Sequence, residues 1–301
     1  MKSGSIFVGL AAVLWGTDTL ARYPLTKFFD PLFIVWLEHL AGLLLILPLV
    51  IWKHKNEIFK LKLKEVFAII IFGIGGAAIA NIFYTTSLKF SGTAVSILIV
   101  KLQPLFVLWS AFLFLGEKPT KNFFPWGIVA IIAAILLSFP ELDFDFKSKG
   151  AQDHIKGVLY AFLAMAIWGF STVAGKYFLY RHSASVTTLW RYLAATLSLG
   201  VVYFLINKGN ATPWGLVFSA HTLPYLLYLA SIAGVVAMGI YYKGLKLIPA
   251  SKATFVELIY PLTAVILNVF ILNAELSSVQ VIAAALLFIS LLLIIIPKSN
   301  P

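Results

Sequence analysis

The 301-residue chain has no cysteine, which excludes a disulfide framework, a thiolate metal site and a thiol redox motif. It is also poor in charge. Asp, Glu, Lys and Arg together make up 12% of it and only 12 residues are acidic, against roughly 25% charged in a soluble domain. No HExxH, no clustered carboxylates and no P-loop are present. The run FGIGGAA at 72–78 lacks the strand and the lysine that a nucleotide loop needs. What is abundant is apolar: 61% of the residues, with a mean hydropathy of +0.96. The runs are apolar all round instead of alternating, which reads as helices in a bilayer and not as a barrel. In such a chain the net charge of +11 reads as a topology signal in the loops, with no nucleic-acid partner expected. No cleavable signal peptide is expected, because the first apolar run is long enough to stay in the membrane.

Two stretches echo each other. Residues 84–117 return at 241–275: Tyr84 matches Tyr241, Leu88-Lys89 matches Leu245-Lys246 and Pro104 matches Pro261, all at an offset of 157, and Glu117 matches Glu275 after one extra residue. Upstream, Trp15-Gly16 matches Trp168-Gly169 at an offset of 153. Two echoes in one order mean a chain built as two halves. With about 20 residues per span, ten spans are expected: 5–25, 31–52, 66–87, 93–115 and 123–140, then 156–179, 185–206, 222–243, 250–272 and 278–296. The domain reading is a first repeat at 1–140, a polar linker at 141–155 and a second repeat at 156–301. The lysines Lys53, Lys55, Lys60, Lys62 and Lys64 favour both termini in the cytoplasm. Five spans per half is odd, so the second half enters from the opposite side. The fold class is an all-α integral membrane protein of ten transmembrane helices in two inverted five-helix repeats, the design of secondary transporters.

Taken together, Trp15-Gly16, Trp168-Gly169, Pro104, Pro261, Glu117, Glu275 and Gly127 resemble the drug/metabolite transporter superfamily, in its ten-helix EamA branch, over essentially the whole chain. The resemblance implies a transporter and not an enzyme, no cofactor, and a small-metabolite substrate, often an amino acid or related solute, exported across what is expected to be a bacterial inner membrane. It also implies a central cavity lined by helices 1, 3, 4, 6, 8 and 9. One departure stands in helix 2, where Glu38-His39 occupies a place that carries an arginine in many members; Arg191 holds the equivalent point of the second half.

An ionisable group in mid-membrane costs about 2.5–3.5 kcal/mol on insertion scales and needs a reason. Lys101 and Glu257 are nearly equivalent in the repeat, and each lies about 11–12 Å deep from its own face. They are read as a charged pair, either binding substrate or tying the halves together. Glu38 and Arg191 invite the same two readings, with Glu38 and His39 as a protonatable switch. Asp18 is a proton or cation site, or else the i+4 partner of Arg22. Lys252 is a snorkelling or gate residue. Arg22 and Lys176, near expected helix ends, are set aside as snorkelling. Gln103 offers an amide. Pro104 and Pro261 each free a carbonyl one turn back. Tyr84, Tyr241, Trp15 and Trp168 are candidates for an aromatic wall, with packing as the alternative. The mixed charges favour a zwitterion such as an amino acid. A phosphorylated or nucleotide-linked solute would instead use Lys101, Arg191 and Lys252. A membrane-embedded enzyme or receptor is the non-transport alternative. Lipid is the expected surround, and a homodimer through helices 5 and 10 is left open.

Overall fold

The computed structural model describes residues 2–25, 27–84, 86–87, 90, 99–118, 123–138, 151–207, 213–260, 262–263, 266–267 and 277–295. Six helices among them are long and apolar enough to cross a membrane: Ser3–Arg22, Pro31–Ile58, Leu63–Tyr84, Ile155–Leu179, Ala184–Asn207 and Leu223–Leu247. Three shorter apolar helices, Gln103–Leu115, Phe124–Leu137 and Ser278–Ile294, stand at the fourth, fifth and tenth expected spans. Of the ninth, the structure describes the helix Ala250–Val256 and a few residues beyond it. Pro261, Glu275 and most of the linker lie outside the described residues. Helix is the form expected here, because a bilayer offers the backbone no hydrogen-bond partner and each segment must satisfy its own. The outward faces follow the same solvent: Trp52, Phe114 and Leu205 stay exposed.

Local chemistry explains where the elements differ from uniform spans. The first span breaks into Lys2–Gly16 and Asp18–Leu25. At the break the Thr17 hydroxyl bonds the Leu14 carbonyl at 2.6 Å and lies 2.5 Å from the Tyr228 hydroxyl. The second runs to Ile58, six residues past the expected end at 52, opened by an Asp30 N-cap with Pro31 behind it. The third and eighth spans each contain π-helical turns, Ile70–Ile79 and Leu229–Val236. The Gly- and Ala-rich stretch of the third lets Gly76 come so close to Ser171 that a Cβ there would sit 2.1 Å from its Oγ.

The two sequence halves do not sit side by side. The helix Lys2–Gly16 packs on Ala237–Leu247, and Ala151–Leu179 packs on Ile70–Ile79. Pro31–Ile58 packs on Ala184–Asn207, Gln103–Leu115 on Ala250–Val256, and Phe123–Ser138 on Ser278–Ile295. Each of these contacts joins an element before residue 140 to one after residue 150. Their buried faces form four apolar clusters. Separation of the halves would expose all of these faces.

Candidate functional site

The echoed aromatic residues meet across the halves. Trp15 lies against Tyr241 with ring centroids 5.1 Å apart at 52°, and Trp168 lies against Tyr84 at 5.3 Å and 52°. Each pair takes its tryptophan from one half and its tyrosine from the other. The glycines beside the tryptophans behave alike. A Cβ on Gly16 would lie 2.6 Å from Thr263, and one on Gly169 would lie 2.6 Å from Phe106. Thr263 and Phe106 are themselves separated by the 157-residue offset. Trp168 also donates its indole N–H to the Gly76 carbonyl at 2.9 Å.

Lys101 and Glu257 each stand at a helix break. Lys101 and Leu102 form a turn, after which Gln103 and Pro104 open the helix Gln103–Leu115. Proline fits that first turn, where its missing N–H is not needed. Pro104 therefore opens a half-helix; it does not kink a continuous one. Glu257 and Leu258 form the matching turn after Ala250–Val256. The two ionisable side chains do not pair with each other. Lys101, 7% exposed, places its ammonium 4.7 Å from the Tyr260 ring centroid, a cation–π contact. Glu257 accepts a hydrogen bond from the Tyr241 hydroxyl at 2.8 Å, and Thr172 also neighbours that hydroxyl. Gln103 is half-buried one residue past the turn.

The break at Thr17 gathers a second set. Arg22 holds Asp18 with two bonds, Nε to Oδ2 at 2.6 Å and Nη2 to Oδ1 at 2.8 Å, and bonds Glu38 Oε2 at 2.8 Å. The i+4 pairing of Asp18 with Arg22 is therefore present, and the dismissal of Arg22 as a snorkelling residue is corrected. Because the helix restarts after Thr17, Arg22 turns inward and bridges two carboxylates. Glu38 does not pair with Arg191. Arg191 donates to the Phe72 carbonyl at 2.7 Å and to Ser171 Oγ at 3.2 Å, with the Tyr242 hydroxyl beside it. His39 Nδ1 bonds the Val35 carbonyl at 2.8 Å, and its ring lies 5.0 Å from Tyr192, the arrangement of a packing histidine. Tyr84 and Tyr260 neighbour Asp18 and Arg22, and Tyr260 carries Lys101; these residues, with the helix breaks at Thr17, Lys101 and Glu257, are termed the belt. A cavity of about 170 Å³, lined by Asp30, Val35, Asn81 and Thr86 among others, ends one helical turn from Glu38. Among the described residues, no three His, Asp or Glu side chains come together as a metal site.

The opposite end of the bundle, where the lysine-rich loop lies, is tied by groups the sequence did not single out. Glu65, 3% exposed, takes Arg181 at 2.7 Å, His182 Nε2 at 3.2 Å and the Lys62 amide at 2.7 Å. Glu57 binds the Ser183 amide and lies 3.6 Å from His182 Nδ1 and 3.2 Å from His54. Lys246 donates to the His182 carbonyl at 2.9 Å. Lys176 is also corrected. It does not snorkel: its ammonium caps the end of Ala237–Leu247 by donating to the carbonyls of Leu245, Lys246 and Ile248 at 2.7, 3.1 and 2.9 Å. Gly116, at φ 66°, ends the helix Gln103–Leu115 in the left-handed region. The chain then delivers Glu117 to the start of Ala250–Val256, where it accepts from the amides of Ala250 and Ser251 at 2.8 and 2.9 Å and from Ser251 Oγ at 2.6 Å. Glu117 was visible as a repeat marker, but its role as a cap needed the tertiary structure. Lys252, the expected gate residue, is buried directly after Ser251.

Comparison with known proteins accords with this layout. The EamA-like transporter family matches residues 2–139 and again 155–296. A relative from Fusobacterium nucleatum subsp. nucleatum, the riboflavin transporter ImpX, is 30% identical over 294 residues, 96% of each chain. The uncharacterized transporter YyaM of Bacillus subtilis is 24% identical over 100% of this chain and 98% of its own. A crystal structure of a protein only 18% identical shares the fold, with a TM-score of 0.80 over 97% of this chain and 96% of that one. A helical bundle with membrane-length apolar spans, charges held at helix breaks and family matches across nearly its whole length is an integral membrane transporter and not an enzyme: the chain belongs to the EamA-like transporter family.

Proposed function

We propose that the chain is a secondary transporter whose two inverted five-helix halves rock about the belt of broken helices, and that its solute is a flat, polar heteroaromatic molecule of the riboflavin class. The observation behind the solute class is the crossed aromatic pairing, Trp15 with Tyr241 and Trp168 with Tyr84, beside the Lys101–Tyr260 contact. Rings contributed by both halves suit a planar guest that stacks on them, while Lys101, Gln103 and Glu257 would serve its polar edge. The relative that carries riboflavin transport in its name supports the same class. Discontinuous helices near the middle of the bundle, as at Lys101 and Glu257, are the usual setting of a transported solute.

The amino-acid reading stands second, favoured by the opposite signs of Lys101 and Glu257 at the two breaks. The phosphorylated-solute reading is weaker, because Arg191 already serves the Phe72 carbonyl and Ser171. Lys53, Lys60 and Lys64 support a cytoplasmic placing of the lysine-rich end and, with it, both termini. The exporter direction rests on the family resemblance alone.

The test is counterflow and net flux of labelled riboflavin, and of an amino-acid panel, in proteoliposomes loaded from either side. Saturable riboflavin flux that Trp15→Ala and Trp168→Ala weaken is the expected result. Amino-acid flux without riboflavin flux would replace the first reading by the second, and flux in one direction only would fix the direction.

A further inference from the structure

A groove of about 300 Å³ opens on the flank of the lysine-rich end, between Pro31–Ile58, the start of Ala184–Asn207 and the segment that runs through Leu229–Val236 into Ala237–Leu247. Its lining is graded along the helix axes. By their places along these helices, Lys53, His54, Ser185 and Lys243 line its outer part, the mouth, and Ile46, Leu49 and Val236 its inner part. Lys53 is five residues from the helix end at Ile58, and Lys243 is four from the end at Leu247. The first of these helices is broken at His54 (φ −132°, ψ 21°), so Lys53 stands at the end of its regular part, and Lys243 leaves its helix roughly 6 Å inside the end at about 1.5 Å per residue; both are within reach of the headgroup layer. Ile46 and Val236 each lie seven residues deeper on the same two segments, about 10 Å further toward the bilayer centre.

The charges at the mouth are uncompensated. Among the described residues, neither Lys53 nor Lys243 has a carboxylate partner. Glu57, on the same stretch of helix, is engaged by His54, the Ser183 amide and His182. Gly239 lines the groove, and a Cβ added there would meet no atom within 4 Å, so the space beside it is open. A cationic mouth over an apolar trough, in that order from the membrane surface inward, matches the polarity of a phospholipid in its leaflet. We infer that this groove holds one anionic phospholipid, its phosphate between Lys53 and Lys243 and part of one acyl chain along Leu49 and Val236. The lipid touches elements of both sequence halves and thereby stabilises their packing.

The full-length protein in a neutral detergent, stripped of lipid, tests the assignment independently of any transported solute. Phosphatidylglycerol, phosphatidylcholine and inorganic phosphate are titrated in turn, with bound adducts read by native mass spectrometry and unfolding followed thermally. The expected result is a retained phosphatidylglycerol adduct that raises the melting temperature, with no such effect from phosphatidylcholine or free phosphate. The double variant Lys53→Gln/Lys243→Gln should bind it about tenfold to thirtyfold more weakly. Lys60→Gln/Lys64→Gln, the same charge change outside the groove, should bind it as before. Gly239→Leu should fill the trough and remove the adduct while leaving the fold intact. Equal retention of phosphatidylcholine, an equal effect of inorganic phosphate, undiminished affinity in Lys53→Gln/Lys243→Gln, or an equal loss in Lys60→Gln/Lys64→Gln would overturn the assignment.

Discussion

The lysine-rich end and the central belt both bury charge, but they use it differently. At the end, Glu65 faces Arg181 and His182, Lys176 faces three carbonyls, and Glu117 faces two amides and a hydroxyl. These partners belong to other segments of the chain, so each contact is a bolt. In the belt, Lys101 rests on a tyrosine ring and Glu257 on a tyrosine hydroxyl. Neither contact neutralises the charge. Lys176 and Glu117 also have neutral partners, but three hydrogen bonds each; a buried ion with a single neutral contact costs more than one so filled, unless something else completes it. That difference teaches where to look for the solute: where charge is held in place without being compensated. The Asp18–Arg22–Glu38 triad stands between these cases, one cation shared by two carboxylates.

Several substitutions should sharpen or break this contrast. The largest effect on stability is expected from Arg22→Ala, which leaves two poorly hydrated carboxylates side by side. Arg22 is partly exposed, so the loss is expected at about 1.5–3 kcal/mol, the worth of hydrogen bonds to a charged group and below that of a fully buried pair, and thermal unfolding of the purified protein should show it. Next comes the belt itself. Lys101→Ala and Glu257→Gln should each weaken solute binding by about 10- to 150-fold, the value of a charge-assisted hydrogen bond of roughly 1.5–3 kcal/mol, with the melting temperature held. Glu65→Gln should loosen the closed end. Because the chain has no cysteine, a single cysteine placed on the inner side of Ser251 reports this as faster labelling by a membrane-impermeant maleimide. Glu117→Gln should cost about 0.5–2 kcal/mol, the worth of a helix cap, as a lower melting temperature. The smallest effect is expected from Tyr241→Phe, which keeps the ring on Trp15 and loses one hydrogen bond of about 1 kcal/mol, a roughly fivefold weaker binding.

Much of this was legible in the sequence because it depends on composition and repetition. Trp15-Gly16, Trp168-Gly169, Tyr84 and Tyr241 were found by their spacing, and they meet as two crossed pairs. The positions of the fourth and ninth helices placed Lys101 and Glu257 deep in the bundle. The failures share one cause: treating each span as a straight helix whose ends face water. Thr17 breaks the first span, and that turn brings Arg22 to Glu38. The carbonyls of the 245–248 turn fold over Lys176, so a lysine near a helix end is fully engaged inside. Glu65 and His182 carried no signal, since a carboxylate beside a lysine-rich loop reads as solvated until another helix end arrives against it. Nor does spacing reveal a ring as a cation's partner: the contact of Lys101 with Tyr260 replaces the ion pair with Glu257 that the repeat suggested.

The most direct test measures binding and stability on two variants together. Glu257→Gln and Glu65→Gln remove the same charge from the belt and from the end. With riboflavin affinity measured by fluorescence titration and unfolding by a thermal scan, Glu257→Gln should lose affinity and keep its melting temperature. Glu65→Gln should lower the melting temperature and keep the affinity. If Glu65→Gln abolishes binding while Glu257→Gln leaves it unchanged, the division of charge between bolts and solute contacts is contradicted.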